Sequence, residues 1–350
     1  MAARPTKPNP HGEDVELEAG GHTVTITSPG KVMFPAGPEL AEALTKLDLA
    51  HHYLTVEAPI MRTVCDRPTL LQRFPNGVTG QNFFQKRIPD NAPEWLQTTV
   101  VSTPNGTTSR AIVMADIGHV LWAANLGCLG FHPWPYRASD PDHTDELRID
   151  LDPSPGVTFA MVQEAALEVR AFLVAEGITS FIKTTGNRGL HIYARIERGW
   201  DSFATRQAAV AVARAMESKC PELITGQWWK EQRGARVFID FNQNAPHKTV
   251  FGAWCVRSRP GAQVSTPFRW DELPTVRPNE LTVLTVPGRL QRDGDPWAGI
   301  DDEPQSIRSL VDRYRADLAS GISDAPWPPV YPKMPDEARR VNPSRARHDD

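Results

Sequence analysis

The most constraining feature of this sequence is an ordered run of strands and helices between residues 147 and 241. Apolar and polar residues alternate in four segments, and two longer segments carry apolar residues at helical spacing, the first ending at Gly177 and the second capped by Ser202. The predicted strands are 147–152, 178–184, 190–196 and 236–241, and the predicted helices are 159–176 and 203–219. This β-α-β-β-α-β order predicts an α+β fold with a ferredoxin-like split unit, in which the first strand lies between the third and the fourth and both helices cover one face.

Acidic residues fall on the sheet face that the helices leave open. In the stretch RIDLDP, 148–153, side chains alternate along the strand, so Asp150 and Asp152 lie on one face, roughly 6 to 7 Å apart. Two like charges so close are most simply kept ionised by a divalent cation, or by a pair of cations about 3.5 to 4 Å apart. The strand order brings His191 and Asp240 beside them. An isolated Asp-x-Asp is as often a solvated edge, but this convergence predicts a metal site.

A glycine-containing turn precedes the strand that carries His191. In Thr185–Gly189, backbone N–H groups, the Thr185 hydroxyl and the Arg188 guanidinium can be directed at an anion. Basic residues are also concentrated between 230 and 259. Beside a metal site, this turn predicts binding of the triphosphate of a nucleotide.

Residues 15–127 predict a mixed module of strands and helices. The elements expected are a hairpin at 15–34, a helix at 39–57, a strand at 67–74, two strands within 98–115 and a helix at 116–127. In an extended segment at 81–87, Phe83 and Phe84 point to opposite faces, so at least one ring is exposed. The pair is then either a core ring beside a surface ring or a platform for stacking bases. By residue type alone, His132 is more typical of a structural histidine than of a catalyst.

Composition sets the class of protein but not its chemistry. The chain has 350 residues, 40% of them hydrophobic, and no run of about 20 apolar residues, so we expect a globular protein of the cytoplasm with neither a signal peptide nor a membrane span. A net charge of −4 argues mildly against nucleic-acid binding, although the stretch 230–259 allows one basic face. The four cysteines are far apart and are expected to be reduced. Proline-rich stretches at 5–10 and 326–343 are expected to be extended tails.

Three motifs resemble, in order and spacing, the signature motifs of the archaeo-eukaryotic primase superfamily. They are Asp150-x-Asp152, the segment 185–191 and the segment 239–244. The resemblance is greatest to the polymerase domains of bacterial end-joining ligase D and to stand-alone bacterial primase-polymerases, and it runs from about residue 15 to 273, including the stretches SPGKVMFP, NFFQKR and GFHPW. It implies a primase-polymerase fold, with an N-terminal module at 15–146 and a catalytic module like the RNA-recognition motif at 147–300.

The resemblance also implies roles for individual residues. Asp150, Asp152 and Asp240 would hold two divalent ions, Mn²⁺ or Mg²⁺, and Asp240 would help to deprotonate the primer 3′-hydroxyl. The residues implied to bind the incoming nucleoside triphosphate are Thr185, Arg188, His191, Lys248 and Arg257, with Gln243 and His132 near the sugar. The residues expected to contact DNA are Lys31 and Lys46, at a downstream 5′-phosphate, Phe83 and Phe84, on the template, and Arg73 and Arg233. Relatives often have Ser and Lys where this chain has Thr185 and Arg188, and the loop at 102–109 differs from the end-bridging loop of the ligase-fused domains.

The expected function is template-directed nucleotidyl transfer by a polymerase that fills short gaps in DNA repair or end joining, with ribonucleotides favoured. The expected partners are gapped or primer–template DNA with a 5′-phosphate, an NTP or dNTP, and a separate ATP-dependent DNA ligase, because the sequence contains no Lys-x-Asp-Gly adenylation motif. We expect a stand-alone, nucleoid-associated monomer. Residues 1–14 are predicted to be a flexible tail, 15–300 the catalytic domain, and 301–350 a helix with a Pro-rich tail.

Two other functions fit part of the pattern. A haloacid-dehalogenase-type phosphatase also has Asp-x-Asp after an apolar strand, but Ser154 stands where Thr or Val is usual, and that fold needs a parallel doubly wound sheet instead of a hairpin at 178–196. An inactive nucleic-acid-binding module would use Phe83, Phe84 and the basic stretch. Such a module has no need for three carboxylates that face phosphates.

Overall fold

The computed structural model of the chain describes residues 11–337. The first part of the predicted N-terminal tail, 1–10, and the last part of the predicted Pro-rich tail, 338–350, lie outside the described residues. Among the residues described, no helix is both long and apolar enough to cross a membrane.

The N-terminal part forms a hairpin, a small strand pair and a larger sheet packed with helices. Its elements are β1 Val15–Ala19, β2 His22–Ile26, β3 Val32–Phe34, β4 Leu44–Thr45, α1 Lys46–Thr55, α2 Glu57–Val64, β5 Pro68–Arg73, β6 Phe83–Gln85, β7 Thr98–Ser102, β8 Thr108–Val113, α3 Ile117–Asn125 and β9 Cys128–Pro133. The larger sheet has the order β6-β5-β8-β7, with β9 also paired to β5. The predicted helix at 39–57 begins only at Lys46, because Thr45 and Asp48 form a capping box there.

The C-terminal part contains the predicted split unit. Its elements are β10 Glu146–Pro153, α4 Phe159–Ala175, β11 Phe181–Thr184, β12 Leu190–Arg195, α5 Ser202–Lys219, β13 Ile224–Thr225, α6 Lys230–Arg233, β14 Val237–Ile239, β15 Pro267–Phe268, α7 Val286–Asp293 and α8 Arg308–Ala319, with 3₁₀ turns at Phe241–Asn244, Trp270–Glu272 and Pro278–Glu280. The sheet order is β13-β14-β10-β12-β11-β15, so β10 lies between β12 and β14 as predicted. The cap of α5 is Asp201, whose side chain accepts a hydrogen bond from the N–H of Ala204, and the prediction of Ser202 as the cap is wrong.

Two consequences follow from the strand pairing. The pairs β10–β12 and β11–β12 are antiparallel, so the parallel sheet that the phosphatase alternative requires is not formed by these strands. Helices α4 and α5 bury apolar faces, including Val169 and Val212, against one side of the sheet. The opposite side of β10 is therefore left for polar residues, which the sequence places there.

One hydrophobic core extends from Ala19 to Tyr314 and includes Ile149 and Leu151 of β10. The predicted division into modules at residue 146 remains a prediction. The Pro-rich segment 326–343 was expected to be an extended tail, but its described part packs on the body of the protein, with Trp327 and Tyr331 buried beside Ala245. Burial of two large aromatic rings stabilises this packing, which proline content alone does not predict.

Candidate active site

Three aspartates meet on the open face of the sheet, at the end of the central strand. Asp150 of β10 pairs in register with His191 of β12, and the N–H of Asp240 donates to the Asp150 carbonyl at 3.0 Å. One oxygen from each of Asp150, Asp152 and Asp240 lies within 4.8 Å of the other two. The predicted convergence of the carboxylates with His191 is therefore confirmed as geometry.

The carboxylates are held without balancing cations at contact distance. Among residues 11–337, no Lys or Arg nitrogen lies within 4.0 Å of a carboxylate oxygen of Asp150, Asp152 or Asp240. Burial raises the pKa of Asp150 to about 6, and burial together with the neighbouring carboxylates raises the pKa of Asp152 to about 6 and of Asp240 to about 7. In water-exposed carboxyl groups the ordinary value is near 4.

This donor set fits a hard divalent cation. Carboxylate oxygens are the ligands that Mg²⁺ and Mn²⁺ prefer. Oδ1 of Asp150 lies 3.2 Å from Nε2 of His191, but the two groups are not aligned as a hydrogen bond, so this buried oxygen has no hydrogen-bond partner within the part of the chain that the structure describes. A buried carboxylate oxygen that has no partner and faces two further carboxylates fits the role of a metal ligand.

Asp240 is held from the turn that follows β14. Its side chain accepts hydrogen bonds at 3.1 Å from the N–H of Asn242 and from Nε2 of Gln243. The charge of Lys248 also acts on Asp240 and opposes the rise in its pKa. Gln243 and Lys248 therefore lie on the Asp240 side of the site.

The turn Thr185–Gly189 has a tighter structure than predicted. Oγ1 of Thr185 accepts hydrogen bonds from the N–H groups of Asn187 and Gly189, both at 3.2 Å, so these two groups are not directed at an external anion. Gly186 has φ +72°, and a Cβ there would lie 2.6 Å from Cγ of Arg257. The lack of a side chain lets Arg257 pack across the turn, where its Nε donates to the Thr185 carbonyl at 2.8 Å.

A cavity of about 420 Å³ joins this turn to the aspartates. It is lined by Asp150 and Asp152 and by polar and basic residues that include Thr185, Arg188, His191, Lys230, Arg233 and Arg257. Burial lowers the pKa of Arg257 to about 10 and that of His191 well below its ordinary value, so at neutral pH the arginine is charged and the histidine is neutral. The lining of the cavity therefore combines carboxylates with guanidinium groups.

His132, on β9, does not line this cavity, although the charge of Arg257, which does line it, acts on the His132 ring. Its ring makes edge contacts with Phe84, at 5.5 Å, and with Phe251, at 5.1 Å between ring centroids. Burial, then the charges of Arg257 and Lys183, lower its pKa to about 3, so it is neutral at physiological pH. Its Nε2 is buried without a hydrogen-bond partner among the described residues.

The residues predicted to contact DNA lie in separate patches. Lys31 and Lys46 are adjacent, because the Lys46 N–H donates to the Lys31 carbonyl at 2.9 Å. Nζ of Lys46 is mostly buried and donates to the Thr27 carbonyl at 2.6 Å, whereas Nζ of Lys31 contacts Oδ1 of Asn76 at 3.4 Å. The pair forms a small basic patch. The burial of Lys46 within this patch was not predicted from the sequence.

The second patch is aromatic. Phe83 and Phe84 are 46% and 56% exposed, so both rings are available at the surface, not one as a core residue. The guanidinium carbon of Arg73 lies 5.2 Å from the Phe83 ring centroid, and its Nη1 donates to Gln85. Two exposed rings on a short strand are typical of a stacking surface.

Arg233 lies in neither patch. It lines the cavity, its guanidinium stacks 3.5 Å from the Phe238 ring centroid, and it donates to the carbonyls of Gln227 and Trp228. Its predicted contact with DNA ends remains a prediction.

Two cationic residues of the site were not identified from the sequence. Lys230 lines the cavity. Lys183 pairs in register with His191, is completely buried and donates to the Phe251 carbonyl and to Oγ of Ser265. The strand parity that placed His191 on the open face also places Lys183 there, so this residue could have been found by applying the same rule to β11.

Comparisons with known proteins agree with this geometry. Residues 45–297 match the model of the family described as "LigD, primase-polymerase domain". The chain is 32% identical over 313 residues to the multifunctional non-homologous end joining protein LigD of Mycolicibacterium smegmatis, covering 89% of this chain and 40% of that protein, and 29% identical over 282 residues to the bifunctional LigD of Bacillus subtilis, covering 80% of this chain and 44% of that protein. The chain thus spans less than half the length of these relatives.

A solved structure of a polymerase domain matches this chain in both fold and sequence. The polymerase domain from Mycobacterium tuberculosis ligase D, in complex with DNA, superposes with a TM-score of 0.74 at 32% identity, and the match covers 80% of this chain and 99% of that one. The predicted primase-polymerase fold is confirmed. The match of both sequence and fold, over the region that holds the three aspartates, shows that this chain belongs to the LigD primase-polymerase domain family of nucleotidyltransferases.

Proposed function

We propose that this protein fills short gaps in DNA by template-directed addition of nucleotides, with ribonucleotides favoured, at sites that carry a downstream 5′-phosphate. The observation that carries the proposal is the convergence of Asp150, Asp152 and Asp240, because the first two also line a cavity that Arg188 and Arg257 line. A nucleoside triphosphate suits this site, since carboxylates can hold divalent cations and guanidinium groups can bind phosphates. An inactive binding module does not account for it.

The chain's own residues have defined parts in this mechanism. Two divalent cations held by the three aspartates would supply charge neutralisation for the attacking and the leaving oxygen. Asp240 helps to remove the proton from the primer 3′-hydroxyl. A bond forms between that oxygen and the α-phosphorus, and the bond from the α-phosphorus to the bridging oxygen breaks, so pyrophosphate leaves.

Substrate positioning falls to the residues around the cavity. Arg188, Arg257 and Lys248 bind the triphosphate, and Arg257 is fixed for this by its bond to the Thr185 carbonyl. His191 and His132 are both neutral, so they orient the substrate through hydrogen bonds and do not add charge. Positioning and charge neutralisation are the main sources of rate enhancement in phosphoryl and nucleotidyl transfer.

The DNA substrate is proposed from the patches outside the cavity. Lys31 and Lys46 bind the downstream 5′-phosphate, Phe83 and Phe84 stack on the template, and Arg73 and Arg233 make further contacts with DNA. Support comes from the relative whose polymerase domain was solved in complex with DNA, and from the end-joining role stated in the names of the curated relatives. A separate ATP-dependent ligase would seal the filled gap.

The direct test is extension of a gapped, 5′-phosphorylated duplex with each NTP and dNTP in Mn²⁺ and in Mg²⁺. We expect incorporation opposite the template base by the wild type and a loss of at least about 10³-fold for Asp150→Ala/Asp152→Ala, because the metal ions stabilise most of the charge that develops in the reaction. Undiminished incorporation by that variant would exclude the assigned metal site.

The gap preference needs its own test. We expect Lys31→Ala/Lys46→Ala to lose about 10- to 100-fold in affinity for a 5′-phosphorylated gap and little for an unphosphorylated one, as one charge-assisted phosphate contact is worth roughly 1.5–3 kcal/mol. Lys219→Ala is the matched control, since Lys219 lies on α5 and pairs with Glu168 at 2.7 Å. Equal binding of both gaps by wild type and double variant would refute the assignment. Thermal unfolding checks that loss of the buried Lys46 has not unfolded the protein.

A further inference from the structure

The C-terminal residues 324–331, which we call the C-terminal strap, contact the turn that carries the third aspartate. The family match ends at residue 297, so the strap lies beyond it. Within the strap, Asp324 and Trp327 are buried, and Nε1 of Trp327 donates to Oδ2 of Asp324 at 2.8 Å. The hydroxyl of Tyr331 donates to the Pro246 carbonyl, directly after the 3₁₀ turn Phe241–Asn244.

Arg206 of α5 connects the strap to that turn. Its guanidinium is buried, donates to Oδ1 of Asp324 at 3.1 Å and to the Ala325 carbonyl at 2.7 Å, and stacks 3.9 Å from the Trp327 ring centroid. On its other side, Nε donates to Oδ1 of Asn242 at 2.8 Å. A buried guanidinium that donates to three residues and stacks on a fourth holds these partners in a fixed arrangement.

Asn242 connects Arg206 and the C-terminal strap to the proposed metal ligand Asp240. Its Nδ2 donates to the Pro326 carbonyl of the strap at 3.0 Å, and its N–H donates to Oδ1 of Asp240 at 3.1 Å. The side chain thus binds the strap and Arg206 while the backbone binds the carboxylate. Asn244, at the end of the same turn, is tied to β10 through the backbone of Arg148.

We propose that the C-terminal strap positions Asp240 for metal binding, through Arg206 and Asn242. The inference rests on the proposed function in that it takes Asp240 to be a metal ligand. It makes Asp324 and Trp327 positioning residues, about two hydrogen-bonded partners away from the carboxylate. Partners that orient a metal ligand typically change metal affinity by about 10- to 100-fold when removed, and the effect should be smaller at one step further out.

The test uses the full chain and Mn²⁺ alone, with free Mn²⁺ measured by electron paramagnetic resonance. We expect Asp324→Ala to weaken Mn²⁺ binding on the order of five- to tenfold. The matched control is Asp317→Ala, which breaks the 3.1 Å ion pair between α8 and Arg214 of α5, in the same C-terminal region but without a link to Asn242. We expect the control to leave Mn²⁺ affinity within about twofold, and to cost less thermal stability than Asp324→Ala because the Asp317 pair is partly exposed.

Two results would overturn the strap's role: unchanged Mn²⁺ affinity in Asp324→Ala, or an equal loss in Asp317→Ala. If Asp324→Ala fails to fold, Trp327→Phe keeps a ring against Arg206 while removing the N–H that holds Asp324, and it should weaken Mn²⁺ binding about fourfold, beyond the change allowed to the control. Unchanged affinity there would be equally decisive. Loss of binding in Asp150→Ala/Asp152→Ala but not in the strap variants refutes the strap alone. If the strap variants weaken Mn²⁺ binding but the wild type adds no nucleotides, the polymerase proposal alone is refuted.

Discussion

The two ends of strand β10 carry buried carboxylates on the same face, but these carboxylates differ in whether cationic side chains bind them. At one end, Glu146 accepts hydrogen bonds from three guanidinium groups, those of Arg67, Arg148 and Arg195, at 2.7 to 3.1 Å. At the other end, Asp150 is similarly buried, and among the described residues no Lys or Arg nitrogen lies within 4.0 Å of its carboxylate, which faces His191, Asp152 and Asp240. Alternate residues of one strand therefore pass from a satisfied ion network to a cluster of like charges.

The difference appears in the protonation of the two groups. Burial alone would raise the pKa of Glu146, but the three guanidinium groups overcome it and lower that pKa below its ordinary value. Burial raises the pKa of Asp150 to about 6, because the charges of Lys183 and Arg257, which lower it, offset burial only in part. The first end is neutralised by the chain's own arginines, whereas the second would, on the proposed function, be completed by divalent cations.

The largest effect on stability is expected at the satisfied end. Glu146→Gln leaves the buried Arg67, Arg148 and Arg195 with one fewer anionic partner, so we expect about 3–5 kcal/mol less stability in urea unfolding at pH 7.5. Glu13→Gln, at an exposed position, is the control. A loss below about 1 kcal/mol would show that the network is not the structural support that its geometry indicates.

The opposite sign is expected at the metal end. The pKa of Asp240 is about 7 in the folded protein and near 4 when unfolded, so the folded state binds more protons between these values, and the stability from this group, full below pH 4, is lost as the pH rises through 7. Asp240→Asn should therefore stabilise the metal-free protein at pH 8, by at most about 4 kcal/mol. It should also abolish nucleotide addition.

Urea unfolding in a chelator between pH 5 and pH 8 measures this change. Wild type should lose stability relative to Asp240→Asn across that range, and the gap should close towards pH 4. A variant that is less stable than wild type at pH 8 would contradict the account of the raised pKa.

The smallest effect is expected from adding the metal. Mn²⁺ at about 100 times its dissociation constant should stabilise the wild type by about 2.7 kcal/mol, since it binds the folded state only. The gain should be absent in Asp150→Ala/Asp152→Ala and retained in Glu146→Gln. Thermal unfolding at pH 7.5 with and without Mn²⁺ measures both, and a gain that survives in the aspartate variant would place the ion elsewhere.

Much of the site could be predicted because side-chain parity on strands is a local property. Asp150, Asp152 and His191 could be assigned to one face from sequence alone, and the split strand order then placed Asp240 beside them. The turn at 185–189 was predicted only in outline, because the sequence does not say whether its N–H groups bind an anion or the Thr185 hydroxyl. Lys230 was missed because it reaches the cavity from the short helix α6, whose position depends on packing.

The sequence by itself determined the order of strands and helices, the face on which each strand side chain lies, and membership of a polymerase family. Only the tertiary structure decided which buried charges are paired. Glu146 and Asp150 lie on the same face of one strand. They differ because Glu146 is contacted by the guanidinium groups of Arg67, Arg148 and Arg195, which come from three different strands or their flanks. The C-terminal strap was likewise decided by packing, because long-range contacts of Trp327 and Arg206 depend on distances in space that no local sequence pattern encodes.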